Sequence, residues 1–189
     1  MRWTLDPNHT HIAFSVLHMG ITYATGHFAR YTAEITLDEE TPERSSTDVS
    51  IVAASIATDN LERDAHLRSH DFLDTATWPT IHYRSGAITP LGFNTYNVEG
   101  DLTIRDVTVP VTLEVVYGGE TVDPEGYRRM GFSARGYVNR ERYGLTWNMP
   151  LESGGEVLGA TVRVEIEAEL VERPDATPLS DQPVAPAQP

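Results

Sequence analysis

Cysteine is absent from the 189 residues, and so is lysine: all fourteen basic residues are arginine. The first absence removes disulfides, thiolate metal sites and cysteine nucleophiles together. The second removes Schiff-base chemistry and the phosphate lysine of a P-loop. Codon bias is the plainer account of the missing lysines, and the chemical exclusion holds either way. No apolar run approaches the roughly 18 residues of a spanning helix. Met1 and Arg2 lead directly into Trp3, Leu5 and Asp6, without the basic, apolar and small-residue stages of an export signal. A cytoplasmic location is therefore expected, or a periplasmic one if a signal was removed. Positive charge is scarce as well. A formal net charge of −14 argues against nucleic acid or an anionic membrane surface as the main partner. Even the basic run Arg135 to Arg142 holds only three arginines, with Glu141 among them.

What is present is alternation. Tyr31, Ala33, Ile35 and Leu37 take turns with Thr32, Glu34 and Thr36; Val98, Leu102 and Ile104 with Glu99, Asp101, Thr103 and Arg105. Val109 to Tyr117 and Val162 to Leu170 repeat the pattern, and weaker versions cover Ile12–His18, Asp48–Ile56, Thr80–Arg84, Gly131–Val138 and Leu145–Met149. Period-two patterning at these short intervals predicts antiparallel strands with one buried face. Turn signals fall between them at Thr89-Pro90-Leu91-Gly92, Gly118-Gly119, Asp123-Pro124-Glu125-Gly126 and Ser153-Gly154-Gly155. The fold expected is all-β, an up-and-down antiparallel barrel of about eight strands. The length suits one domain, over residues 1–172. Residues 173–189, rich in proline and poor in apolar side chains, are expected to form a disordered tail.

One short segment, near 60–73, breaks the alternation and reads as a helix. Asp59 is its expected N-cap, with Glu62 completing a capping box and Asp64–Arg68 forming an i,i+4 ion pair. The stretch His66–Pro79 places His66, Arg68, Asp71 and Asp74 beside Leu67, Phe72, Leu73 and Trp78. His9 and His11 would share a strand face, and His66 and His70 a helix face; either spacing could hold a metal with a third ligand, but no HExxH occurs and the two pairs are unlinked in sequence. Gly-x-Ser-x-Gly and phosphate loops are missing too, so catalysis finds no support. Phe14, Phe28, Tyr31, Phe72, Trp78, Tyr83, Phe132 and Trp147 are dispersed over many segments, as either a solid core or an apolar cavity would require. Periodicity alone favours the solid core.

Several blocks taken in order resemble the YceI-like family, a lipocalin-like group regarded as polyisoprenoid-binding. They are Trp3-Thr4-Leu5-Asp6-Pro7-Asn8-His9-Thr10 with Phe14, His18-Met19 and Gly26-His27-Phe28, then His66-Leu67-Arg68-Ser69, Asp71-Phe72-Leu73-Asp74 and Trp78-Pro79. Gly100 to Arg105 and Gly131-Phe132, Arg140, Gly144 and Trp147 complete the set. Thr10 stands where serine is usual, and Asp106 where a glycine commonly follows Thr-Ile-Arg. The resemblance implies an extended lipocalin-like barrel holding a polyisoprenoid chain or quinone tail, often in a homodimer; no cofactor and no metal are expected. Phe14, His18, Phe28, Leu67, Arg68, Asp71, Phe72, Trp78, Phe132 and Trp147 are the expected pocket residues, with His18, Arg68 and Asp71 as a polar rim. Two other readings use the same barrel: a metal- or acid/base-dependent enzyme built on the histidines, and a ligand-free stress-response interaction module.

Overall fold

A computed structural model of the chain describes residues 2–173; nearly all of the expected tail lies outside them. The described residues form β1 (Arg2–Leu5), β2 (His11–His18), β3 (Thr22–Phe28), β4 (Tyr31–Thr36), β5 (Ser46–Val52), β6 (Ile56–Ala57) and α1 (Leu61–Arg68). Then come β7 (Thr80–Gly92), β8 (Thr95–Ile104), β9 (Val107–Val122), β10 (Arg128–Asn139) and β11 (Leu158–Arg173). The ladder runs β4-β5-β7-β8-β9-β10-β11-β2-β3-β6, with β1 added to β11. All its pairings are antiparallel.

The sheet curls into a lipocalin-like barrel because its two ends are consecutive in the chain. β3 continues into β4 across Ala29 and Arg30, and β5 into β6 across a 3₁₀ turn at Ala53–Ser55. Backbone groups at this double bend keep partners: the Ala29 amide donates to the Ser55 carbonyl at 3.1 Å, the Val52 amide to the Arg30 carbonyl at 2.9 Å. Ser55 Oγ accepts from the Arg30 amide at 3.1 Å, so these donors stay paired where the wall turns. With each bent pair taken as one stave and β1 set aside, the eleven strands make eight staves.

Two hairpins use two-residue turns with both central residues left-handed, Met19-Gly20 (φ 54, 74) and Phe93-Asn94 (φ 46, 60). That geometry matches the twist of the flanking strands. Gly118-Gly119, expected as a turn, instead forms a β-bulge inside β9: Gly119 faces Gly131, and Tyr117 already faces Phe132. Thr89–Gly92 likewise belongs to β7, the turn falling just beyond it. In the β8–β9 turn the left-handed residue is Arg105 (φ 56), not Asp106.

Residues 145–149, expected as a strand, are irregular. Their carbonyls are taken by Arg140, which is buried and donates to the carbonyls of Leu145, Trp147 (3.0 Å), Leu158 (3.3 Å) and Gly159 (2.9 Å). One guanidinium thus does for this segment what a neighbouring strand would have done. The helix also starts differently from expectation. Asn60 is the N-cap, its Oδ1 accepting from the Arg63 amide at 2.9 Å, while Asp59 sits left-handed before it. Asp64 does not pair with Arg68: it is buried, accepting from the Thr58 amide (2.9 Å) and hydroxyl (2.6 Å).

The strand directions sort the connections to two ends of the barrel. At one lie the β2–β3 turn, α1 and its following loop, the β8–β9 turn and residues 140–157; this is the helix end. At the other lie the start of β1, the loop of residues 37–45, the β7–β8 turn and the β9–β10 loop. The second end is plugged by buried Trp3, Met130 and Leu170, and ion pairs overlie the plug. Arg128 reaches Glu39 (2.7 Å), Glu120 (2.8 Å) and Glu172 (3.2 Å), with its guanidinium over the Trp3 ring. Arg129 holds Asp6 and Asp123, each at 2.7 Å, and Glu169. Burial opposes ionisation of Asp6, but bonds from Arg129, the Asn8 amide and His9 win and hold its carboxyl at about 2.

Candidate functional site

The barrel is hollow. A cavity of about 830 Å³ runs inside it, walled by the inward rows of every stave. β4 contributes Tyr31, Ala33 and Ile35; β9 contributes Val111, Leu113 and Val115; β10 contributes Phe132, Ala134 and Val138; β11 contributes Val162, Val164 and Ile166. Many of these inward side chains are only half-buried although none faces outward, because the hollow leaves them uncovered. The filled interior favoured by periodicity is therefore replaced by an open one, of a size at the upper part of the roughly 300–1,000 Å³ usual for small-molecule sites.

Polar groups gather where the cavity meets the helix end. His18, Thr58, Asn60, Glu62, Arg63 and His66 line it there. His66 stands edge-on to Phe72 (5.0 Å between ring centroids) and Trp147 (4.7 Å), and Phe72 tilts against Trp147 at 5.3 Å. Its Nε2 lies 2.9 Å from Asp71 Oδ2, while His70 approaches the other Asp71 oxygen at 3.2 Å. The Asp71 carboxylate thus fixes the His66 ring, and the ring braces the two aromatics that close this side of the hollow.

Of the expected pocket residues, Phe14, His18, Phe28, Leu67, Phe72, Phe132 and Trp147 line the cavity. Arg68, Asp71 and Trp78 do not. Arg68 turns away to donate to the Ala54 (2.8 Å) and Ile56 (2.7 Å) carbonyls, tying α1 to the bend of the wall. Asp71 serves the two histidines behind the lining. Trp78 sits where the chain turns into β7, its amide bonded to the Asp74 carbonyl at 2.8 Å. Missed from the sequence were Asn60, Arg63 and Arg140. Arg63 and Leu67 are four apart on α1 and share its cavity face, a spacing that marks both once the helix is recognised. Arg140 was marked only by the family resemblance, which gave it no place in the lining.

Among the described residues, one grouping has three side chains able to ligate a metal together: Asp6, His9 and Glu169. Arg129 lies inside it and already neutralises both carboxylates. His9 is exposed beside Asp6 at 3.2 Å. His66 and His70 converge on Asp71 alone. No helix among the described residues is long and apolar enough to cross a membrane.

Over residues 3–170 the chain matches the model of the YceI-like domain. The chain belongs to the YceI-like family. Protein YceI of Escherichia coli O17:K52:H18 is 36% identical to it over 140 residues, 74% of this chain and 73% of that one. The crystal structure of the Campylobacter jejuni YCEI protein superposes with a TM-score of 0.72 at 28% identity, covering 84% of this chain and 90% of that one. A polyisoprenoid binding domain from Saccharophagus degradans shares the fold, with a TM-score of 0.66 at 16% identity, over 92% and 99% of the two chains.

Two glycines in the blocks that carry the YceI-like likeness have a steric reason. Across the ladder from Phe14, a Cβ on Gly26 would come within 2.5 Å of the Phe14 ring and 2.9 Å of the Ala57 carbonyl. On Gly100 it would meet the Tyr83 ring at 2.5 Å and the Arg84 carbonyl at 2.6 Å. Each glycine makes room for an inward aromatic ring lying flat along the wall.

Proposed function

We propose that this YceI-like protein is a non-catalytic carrier or store for a long isoprenoid lipid, whose tail occupies the barrel cavity. The observation that carries the reading is the hollow of about 830 Å³ walled by aliphatic and aromatic side chains from all eight staves. Each methylene taken from water into such a site is worth about 0.8 kcal/mol, before the costs of ordering are subtracted. An inserted tail therefore binds without polar contacts. The polyisoprenoid-binding domain of Saccharophagus degradans, alike in fold, supports the same ligand class. A hollow interior also counts against a ligand-free interaction module.

Two head groups fit the class, a polyprenyl diphosphate and an isoprenoid quinone, and the arginines of the lining favour the quinone. A diphosphate needs guanidinium donors. Arg140 is spent on four carbonyls, and Arg63 donates to the Thr58 hydroxyl (2.8 Å) and carbonyl (2.6 Å). A homodimer, implied by the family likeness, belongs to the same proposal and is read by light scattering.

Solvent extraction of the purified protein followed by mass spectrometry tests the reading. A prenyl lipid is expected from the wild type, and its repeated absence from protein made in both native and heterologous hosts would defeat the proposal. Ala134→Trp, which fills the hollow from β10, should remove the lipid while the protein stays folded. Stoichiometric metal in untagged protein, lost on His9→Ala or His66→Ala, would favour the metalloenzyme instead.

A further inference from the structure

We propose that the helix end of the barrel docks on the surface of a lipid bilayer, with Met19, Ile21, Tyr23, Leu61 and Met149 entering its interfacial layer. The proposal rests on the reading of the cavity as a lipid site. These five apolar side chains are exposed, Ile21 by 82% and Leu61 by 88%. They project from three segments that frame one opening: Ala24, Asn60, Trp147 and Val157, their near neighbours in sequence, all line the cavity. Two of the segments are joined directly. The Met19 amide donates to the Val157 carbonyl at 2.7 Å, and the Val157 amide to the Met149 carbonyl at 2.9 Å.

Two of the three segments carry no charge. The chain carries 28 acidic and 14 basic residues, yet residues 19–26 and 143–151 contain none of either. Exposed Leu91 and Phe93 at the opposite end share it with Glu39, Glu40, Glu120, Asp123 and Glu125, whose charges keep that end in water. Charge enters the rim beside Leu61, at Asp59, Glu62 and Arg63, and on a protein of net charge −14 such a rim fits a zwitterionic surface and is repelled by an anionic one. Tyr23 adds the amphipathic ring that favours the interface between headgroups and tails. Docked this way, the mouth of the cavity opens onto the layer where an isoprenoid lipid resides, and the lipid passes between them without crossing water.

Flotation of the full chain with phosphatidylcholine vesicles tests the proposal. The wild type should float, and Ile21→Asp or Leu61→Asp should each lower the bound fraction about tenfold, the scale set by withdrawing one large apolar side chain. Phe93→Asp, at the far end, should bind as the wild type does. Phosphatidylglycerol in the vesicles should weaken binding. Failure of the wild type to float, wild-type binding by Ile21→Asp and Leu61→Asp, or binding that rises with phosphatidylglycerol would overturn the proposal. So would a dimer in light scattering that Ile21→Asp splits, since a second copy would then cover the rim. Prenyl lipid measured in the same preparations separates the two readings: docking can fail while the cavity remains loaded, and an empty cavity is seen whatever the vesicles show.

Discussion

The two ends of the barrel are closed by opposite means. At the charged end a small apolar plug is overlaid by two arginines that gather six carboxylates, all at least partly in contact with water. At the helix end a buried arginine has no carboxylate at all and spends its donors on backbone carbonyls. Ion pairs that keep contact with water are screened by salt. Hydrogen bonds from a buried cation to carbonyls cannot be replaced by solvent, and losing them leaves acceptors stranded. The comparison teaches that the density of charge at an end is a poor guide to where stability resides.

Arg140→Ala should therefore have the largest effect, about 3 kcal/mol, because the buried Leu145 carbonyl and the partly buried Trp147 and Gly159 carbonyls lose their guanidinium donor. Urea denaturation measures it, and Arg140→Lys should recover only a part, since one ammonium cannot span four acceptors. Asn60→Ala should cost about 1 kcal/mol by uncapping α1, seen first as faster hydrogen exchange at the Arg63 amide. Arg129→Gln, at the other end, should lower the midpoint less than Arg140→Ala does, and its deficit should shrink at ~1 M salt, where the screening length falls to about 3 Å.

Acid sharpens the contrast. The Asp6 carboxyl lies at about 2, below its ordinary 3.8, so its stabilisation is complete above pH ~4 and is lost as pH falls through 2. Amides around Asp6 and Glu169 should lose exchange protection in that window, whereas the carbonyl contacts of Arg140 involve no titrating partner. The smallest change expected is for Tyr143→Phe. This side chain is 1% exposed, its hydroxyl has no partner among the described residues, and burial pushes its pKa up to about 12. Removing the hydroxyl should leave stability unchanged or slightly raised.

Much of this was legible in the sequence. The alternation of Val162 to Leu170 gives the inward row of β11 directly, and the tight spacing of such rows gives the eight staves. The bend at Ala29–Arg30 was not legible, because it interrupts neither hydrophobicity nor β propensity; Ser55, distant in sequence, repairs it. Phe14, Phe132 and Trp147 were identified, but nothing in their identity tells a lining from a filled core, since an inward apolar residue satisfies both. The diameter of the barrel decides between them, and that follows from stave number and stagger. Arg68 and Asp71 were placed at the rim because polar residues near an opening invite that reading. Arg68 instead ties α1 to the Ala54 and Ile56 carbonyls, which become its neighbours only when the wall bends, and Asp71 holds its sequence neighbours His66 and His70 from behind the lining.

The placement of the tryptophans has a spectroscopic consequence. Trp3 lies beneath the Arg128 guanidinium at one end, and Trp147 lines the hollow beside His66 at the other. With Trp78 replaced by phenylalanine, a pair of single-tryptophan variants gives two intrinsic fluorophores reporting on opposite ends of one molecule. Emission from Trp147 follows filling of the cavity, while emission from Trp3 follows loosening of the ion-pair network in acid or salt.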